Sequence, residues 1–375
     1  MKSLLKTLVV AATLSLSTAA VANDYVEKDI LISPEEAFKL IGKDGVMFVS
    51  GDDPDIYKLG HIKGSVEMYA HHLHHSDIEG NMHCEPLYRC IDEAEAYIGS
   101  KGIDNNTLVI AYDDFKGPNA TGVYSFFTSY GHKNIKVLNG GRNAIMDLDP
   151  AQAELNKLRD DYKKEREVEK EAKKKLKEAS VTADQKAALE KVVKASKDAQ
   201  KALKDKMAEV ETRLVVVKGD ESVTPKTYKI DQHNLDFTHI AGKEEVKHAM
   251  EDILKNGDKS KYVIIDSRGM AEIIGERKMD NVARGGHIPG SKFIEWNKIS
   301  DMKNKRSFKS AQELVEVYEK NGVTKDKTIY AYCMVGTGRG SEHITALKLL
   351  GYKNIKVFTG SWDVWGNDMS LPLKR

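Results

Sequence analysis

The sequence predicts an α/β protein of two similar domains, each a mostly parallel sheet flanked by helices, separated by an inserted antiparallel α-helical hairpin. Three observations predict it. Short β-branched and aromatic runs alternate with helical periodicities. Blocks from the first part of the chain recur in the same order in the second. The stretch between them, residues 151–214, contains neither glycine nor proline.

Taken in order, residues 1–22 read as an export signal. Lys2 and Lys6 precede an apolar centre from Leu8 to Leu14, and Ala20-Val21-Ala22 supplies a small-residue cleavage pattern. The mature chain is then expected to begin at Asn23 and to be periplasmic. The apolar stretch is short for a membrane span, and no later segment approaches one, so no membrane insertion is expected. Residues 23–150 form the first domain and 215–375 the second. Gly60-His61-Ile62-Lys63-Gly64-Ser65 returns as Gly286-His287-Ile288-Pro289-Gly290-Ser291. Val109-Ile110-Ala111-Tyr112 returns as Ile329-Tyr330-Ala331-Tyr332, and Gly131-His132-Lys133-Asn134-Ile135-Lys136-Val137 as Gly351-Tyr352-Lys353-Asn354-Ile355-Lys356-Val357. The last two blocks share one offset, as a tandem duplication requires.

The intervening residues 151–214 are dense in Lys, Glu and Ala. Leu189, Val192, Ala199, Leu203, Val210 and Leu214 fall on a three-four spacing. Thr182 and Gln185 match a capping box at the start of the second arm. Each arm should be about 40 Å long. The hairpin is either a solvated spacer or an arm for a protein partner or self-association.

A net charge of +1, from 58 basic and 57 acidic residues, argues against a nucleic-acid binder that works by neutralising phosphates. Of three cysteines, Cys84 and Cys90 lie close together and allow one disulfide, leaving Cys333 as a free thiol. His71, His72, His74, His75 and His83 cluster near Cys84 and Cys90, but without a paired Cys-x-x-Cys or a helical His-x-x-x-His, so no metal site is assigned.

Cys333 opens the segment Cys333-Met334-Val335-Gly336-Thr337-Gly338-Arg339-Gly340-Ser341, between the strand-like Thr328-Ile329-Tyr330-Ala331-Tyr332 and a helical pattern expected from Ser341. Sites in parallel sheets lie beyond the carboxyl ends of the strands. Glycines there let backbone N–H groups turn inward, and a helix N-terminus and Arg339 would hold an anion beside the sulfur.

These residues resemble the rhodanese (sulfurtransferase) family of tandem type. The resemblance rests on Asp266-Ser267-Arg268, the Gly286 to Ser291 signature, the Cys333 loop and Gly360-Ser361-Trp362. Asp113 stands in the first copy where Cys333 stands in the second, which implies an inactive N-terminal and a catalytic C-terminal domain. The resemblance further implies a Cys333 persulfide. Sulfane sulfur would move from a small anionic donor such as thiosulfate, mercaptopyruvate or polysulfide to a thiophilic acceptor, without metal or cofactor. Cys333 and Arg339 would be catalytic. Met334, Val335, Gly336, Thr337 and Gly338 would bind substrate. Read from the residues themselves, Arg268 and Arg284 are candidate contacts to an anionic donor, with Arg268 read more readily as the structural partner of an acid at the strand end and Arg284 open between the two roles.

One departure keeps a second chemistry open. Five residues separate Cys333 from Arg339, a spacing that resembles rhodanese-fold cysteine phosphatases and arsenate reductases. Against this, Tyr332 replaces the His usual before a phosphatase cysteine, and Gly340 the Ser or Thr usual after the Arg. A non-enzymatic sulfur carrier or docking protein is the third reading.

Overall fold

The computed structural model describes residues 25–73, 90–178 and 180–375. The export signal, the cleavage point, Cys84, His74, His75 and His83 lie outside the described residues. The first domain contains strands β1 (Leu31–Ile32), β2 (Val46–Ser50), β3 (His61–Ile62), β4 (Val66–Glu67), β5 (Leu108–Tyr112) and β6 (Ile135–Leu138). Its helices are α1 (Pro34–Phe38), α2 (Pro54–Leu59), α3 (Ile91–Ser100), α4 (Pro118–Ser129) and α5 (Gly141–Leu148). Helices α6 (Pro150–Lys175) and α7 (Ala183–Glu211) follow, then strand β7 (Val216–Val217). The second domain has β8 (Ile240–Ala241), β9 (Tyr262–Asp266), β10 (Lys292–Phe293), β11 (Thr328–Tyr332) and β12 (Ile355–Phe358). Its helices are α8 (Lys243–Asn256), α9 (Met270–Ile273), α10 (Ala311–Lys320), α11 (Arg339–Leu349) and α12 (Ser361–Asn367).

The duplication is visible in the topology. One sheet runs β1-β6-β5-β2-β4 and the other β8-β12-β11-β9-β10, and every pairing within both is parallel. The centre strands β5 and β11 bury four consecutive residues each, the pattern of a strand covered on both faces. Both end in a buried tyrosine, and the next residue is Asp113 in one domain and Cys333 in the other.

Helices α6 and α7 run antiparallel. Arg213 meets Glu154 near the base, and Ser196 and Gln200 meet Glu165 further along. The capping box at Thr182 forms as the sequence predicts, with Gln185 N–H on Thr182 Oγ1 and Thr182 N–H on Gln185 Oε1. Among the described residues, Ala151, Leu155 and Val210 make a buried cluster in the hairpin, at the end that joins the first domain. No helix among the described residues is long and apolar enough to cross a membrane.

The return from the hairpin differs from expectation. Residues 215–231 belong by sequence to the second domain, but they run along the first. Strand β7 pairs antiparallel with β3, Lys226 N–H donates to Gly99 O, and Ile230 N–H to Glu95. The start of the described chain crosses the other way, with Val26 N–H on Leu349 O of α11. Each domain therefore carries a strap from the other's end of the chain. Helices α4 and α11, equivalent in the repeat, pack against each other at the interface.

Candidate active site

Cys333 directly follows β11 and is the free cysteine of the described residues, 1 % exposed. The loop is held from behind. Cys333 N–H donates to Ser361 Oγ at 3.0 Å, and Trp362 and Asp363 N–H donate to the carbonyls of Cys333 and Met334. Ser361 holds this position with φ at +47°, a left-handed conformation rare outside glycine. Gly336 turns the chain at φ +91°, where a β-carbon would lie 2.5 Å from Thr359 O, so only glycine fits. That turn aims Gly336 N–H at Cys333 Sγ, 3.1 Å away.

Helix α11 begins at Arg339, two residues earlier than the sequence indicates, with Gly338 as its N-cap. The Arg339 guanidinium is bonded by both terminal nitrogens to Glu272 of α9, at 2.7 and 3.1 Å. Arg277 adds a third contact to the same carboxylate at 2.7 Å. Burial works against the Glu272 charge, but Arg339 and then Arg277 outweigh it and hold the carboxyl at about 2. Sequence reasoning missed Glu272; nothing in its local pattern marks it as the partner of a residue so far along the chain.

Arg268 and Arg284 are not brought to the loop as donors for a substrate. Arg268 is fully buried, donates to Asp266 at 2.9 and 2.7 Å and to Gly286 O at 2.7 Å, and lies on the Trp362 ring. Arg284 caps the carbonyls of Trp365, Gly366, Asp368 and Leu371 at the end of α12. Arg284 holds structure because clustered main-chain carbonyls claim its donors, and Arg268 does so through Nε and one terminal nitrogen, its Nη1 being buried with no partner among the described residues. Tyr332 does likewise: its hydroxyl donates to Asp266 and accepts Ile288 N–H, tying the Gly286 to Ser291 signature to the end of β11. Met334, Val335, Gly336, Thr337 and Gly338 line the buried loop itself.

Cys90 is disulfide-bonded. No group of His, Cys, Asp and Glu suited to a metal occurs among the described residues.

The first domain repeats the loop with a different occupant. Arg142 and Asn143 N–H clasp the carbonyls of Asp113 and Asp114, as Trp362 and Asp363 clasp those of Cys333 and Met334. Inside, the Asp113 carboxyl accepts N–H bonds from Gly117, Asn119 and Ala120 at 3.0–3.3 Å. Burial, then Asp52 and Asp114, push that carboxyl up to about 8 against the pull of those donors. The cup that would hold an anion is filled by the domain's own side chain.

The domains also close each other's mouths. Ser300 and Ser307 of the second domain donate to Lys116 O and Phe115 O in the first. In return, Thr337 Oγ1 of the cysteine loop donates to Ala70 O. Glu342 of α11 sits in this interface, fully buried, with Ser300 on Oε1 and no partner for Oε2 among the described residues. Burial, with Asp113 and Asp114 nearby, holds its carboxyl well above the usual range. Such a group binds its proton more tightly folded than unfolded. Its stabilisation is full below the ordinary value of 4.5 and is lost as pH rises. The expected result is a melting temperature that falls from pH 5 to pH 8 less steeply in Glu342→Gln than in the parent. Identical slopes in thermal melts would refute the assignment.

Fold and site define a duplicated parallel α/β protein with one free-cysteine loop. Residues 33–148 and 249–368 both match the rhodanese-like domain, and the chain belongs to that family. It is 25 % identical over 356 residues to the sulfur carrier protein TtuD of Thermus thermophilus, covering 94 % of this chain and 98 % of that one. It is 23 % identical over 362 residues to a thiosulfate sulfurtransferase of Corynebacterium glutamicum, covering 94 % and 92 %. Its fold is similar to that of the anaerobic ergothioneine biosynthesis enzyme of Chlorobium limicola, with TM-score 0.60, 19 % identity, and 93 % and 71 % coverage.

Proposed function

We propose that the protein is an exported sulfurtransferase that carries sulfane sulfur as a persulfide on Cys333. The observation that carries this is the Gly336 N–H aimed at Cys333 Sγ from a loop with no room for a side chain. The Cys333 thiolate attacks the outer sulfur of thiosulfate. The donor's S–S bond breaks, its electron pair leaves with sulfite, and a new S–S bond forms on Cys333. An acceptor nucleophile such as cyanide then attacks the outer sulfur, leaves as thiocyanate and returns the thiolate. Sulfur is neither gained nor lost overall, and no outside oxidant or reductant is needed. The loop N–H groups stabilise the anionic outer sulfur.

The commitment of both terminal nitrogens of Arg339 to Glu272 disfavours the phosphatase and arsenate reductase readings, which need that fork for a tetrahedral oxyanion. The relative named as a sulfur carrier supports one further reading, in which Cys333 loads but discharges only to a protein. Intact-mass spectrometry tests all of these. The mature chain should begin at Asn23, gain one sulfur from thiosulfate or polysulfide, and lose it to cyanide. Loading without discharge to cyanide would favour the carrier. Absence of loading from either donor would overturn the persulfide.

A further inference from the structure

The domain without the cysteine reaches into the cysteine's loop. After β4 the chain is anchored by Met68 N–H on Ser50 O and Ala70 N–H on Gly51 O, both at the end of β2. It then makes a short turn over Ala70, His71 and His72. Ala70 O receives Thr337 Oγ1 at 3.0 Å, so the turn and the loop are in register. His71 Nε2 faces Gly338, where a β-carbon would lie 3.4 Å away. Gly338, at φ +121°, is the N-cap residue immediately before Arg339.

The other ring nitrogen is fixed. His71 Nδ1 lies 2.9 Å from the Tyr69 hydroxyl. Burial, then Asp53 and Asp52, raise the Tyr69 phenol, so it keeps its proton and is able to donate to Nδ1. With Tyr69 as the donor, the imidazole carries its own hydrogen on Nε2, toward the loop. Burial, then the charge of Arg339, lower His71 to about 4, which keeps the ring neutral in use. Among the described residues Nε2 has no hydrogen-bond partner.

We propose that His71 is a substrate-contacting, specificity-determining residue of the Cys333 site, its Nε2–H donating to the oxyanion head of the sulfur donor. This rests on the sulfurtransferase reading. As the S–S bond of thiosulfate breaks, the electron pair moves onto the departing sulfite. A hydrogen bond to the sulfite oxygens therefore strengthens toward the transition state. A donor without oxygens, such as inorganic polysulfide, offers only sulfur, a weaker acceptor, and gains far less from it. The active site is thus built from both copies of the repeat.

The test compares His71→Phe, which keeps a ring and removes the donor, with His71→Gln, which restores an N–H. Loading of Cys333 in the full chain is followed by quenched intact mass against thiosulfate or polysulfide concentration. In His71→Phe, the second-order loading rate from thiosulfate should fall about 10- to 100-fold, as loss of a hydrogen bond to a charged group requires. Loading from polysulfide should fall much less than loading from thiosulfate, and His71→Gln should recover most of the thiosulfate rate. Parent-like thiosulfate loading in His71→Phe would overturn the inference alone. An equal fall with both donors, unrescued by Gln, would reduce His71 to a prop for the loop and overturn it too. A parent protein that loads from neither donor would instead overturn the sulfurtransferase reading and this inference with it.

Discussion

Cys333→Ser protein exposed to thiosulfate or polysulfide should gain no sulfur, while its melting temperature stays close to that of the parent. The thiolate is the nucleophile, and a serine hydroxyl at neutral pH neither ionises nor forms a stable bond to sulfane sulfur. No other described cysteine can substitute, because Cys90 is disulfide-bonded. The fold should tolerate the change. The hydroxyl is smaller than the thiol and can still accept the Gly336 N–H, so no buried donor is orphaned. Intact mass reads the first expectation and thermal unfolding the second. Sulfur gained by the variant would remove Cys333 from the mechanism.

Arg268→Ala should be the most destabilising single change, by about 3–5 kcal/mol, because it leaves a buried carboxylate without its counter-charge. Asp266 and Arg268 are both fully buried and joined by two hydrogen bonds. The guanidinium also reaches Gly286 O and stacks between Tyr332 and Trp362, so its loss loosens the end of β11 from which the Cys333 loop springs. Replacing the pair together, as Asp266→Leu with Arg268→Met, should be far milder than Arg268→Ala alone, since an apolar pair leaves no charge unpaired. Chemical denaturation of the single and double variants measures both. A loss below about 1 kcal/mol for Arg268→Ala would mean that Asp266 is satisfied by other groups.

Much of this architecture was legible because it is local. The run from Thr328 to Tyr332 has the content of a buried strand and is one. The Thr182 capping box needs only four consecutive residues, and it forms. The repeat of Gly60 to Ser65 in Gly286 to Ser291 already implied two sheets of one topology. What was not legible depends on distant partners. Arg284 looks in sequence like a free cation on a loop. Its acceptors are main-chain carbonyls of α12, which side-chain identity does not encode. Glu272 lies on a helix of four residues, too short to show a periodicity, and acquires its role only where α11 begins. The path of residues 215–231 was lost because edge pairing of Val216–Val217 with β3 leaves almost no pattern in so short a strand.

Asp113 changes how dissolved anions will act on this protein. A tethered occupant meets its cup as an intramolecular event, so a sulfate or phosphate ion in solution must compete against a group that cannot diffuse away. The first domain's cup is in this sense always occupied. The loop at Cys333, whose residues carry no such carboxyl, is where buffer anions, product sulfite and ionic strength can register. Inhibition by small anions should then follow a single-site isotherm, although the chain carries two copies of the fold.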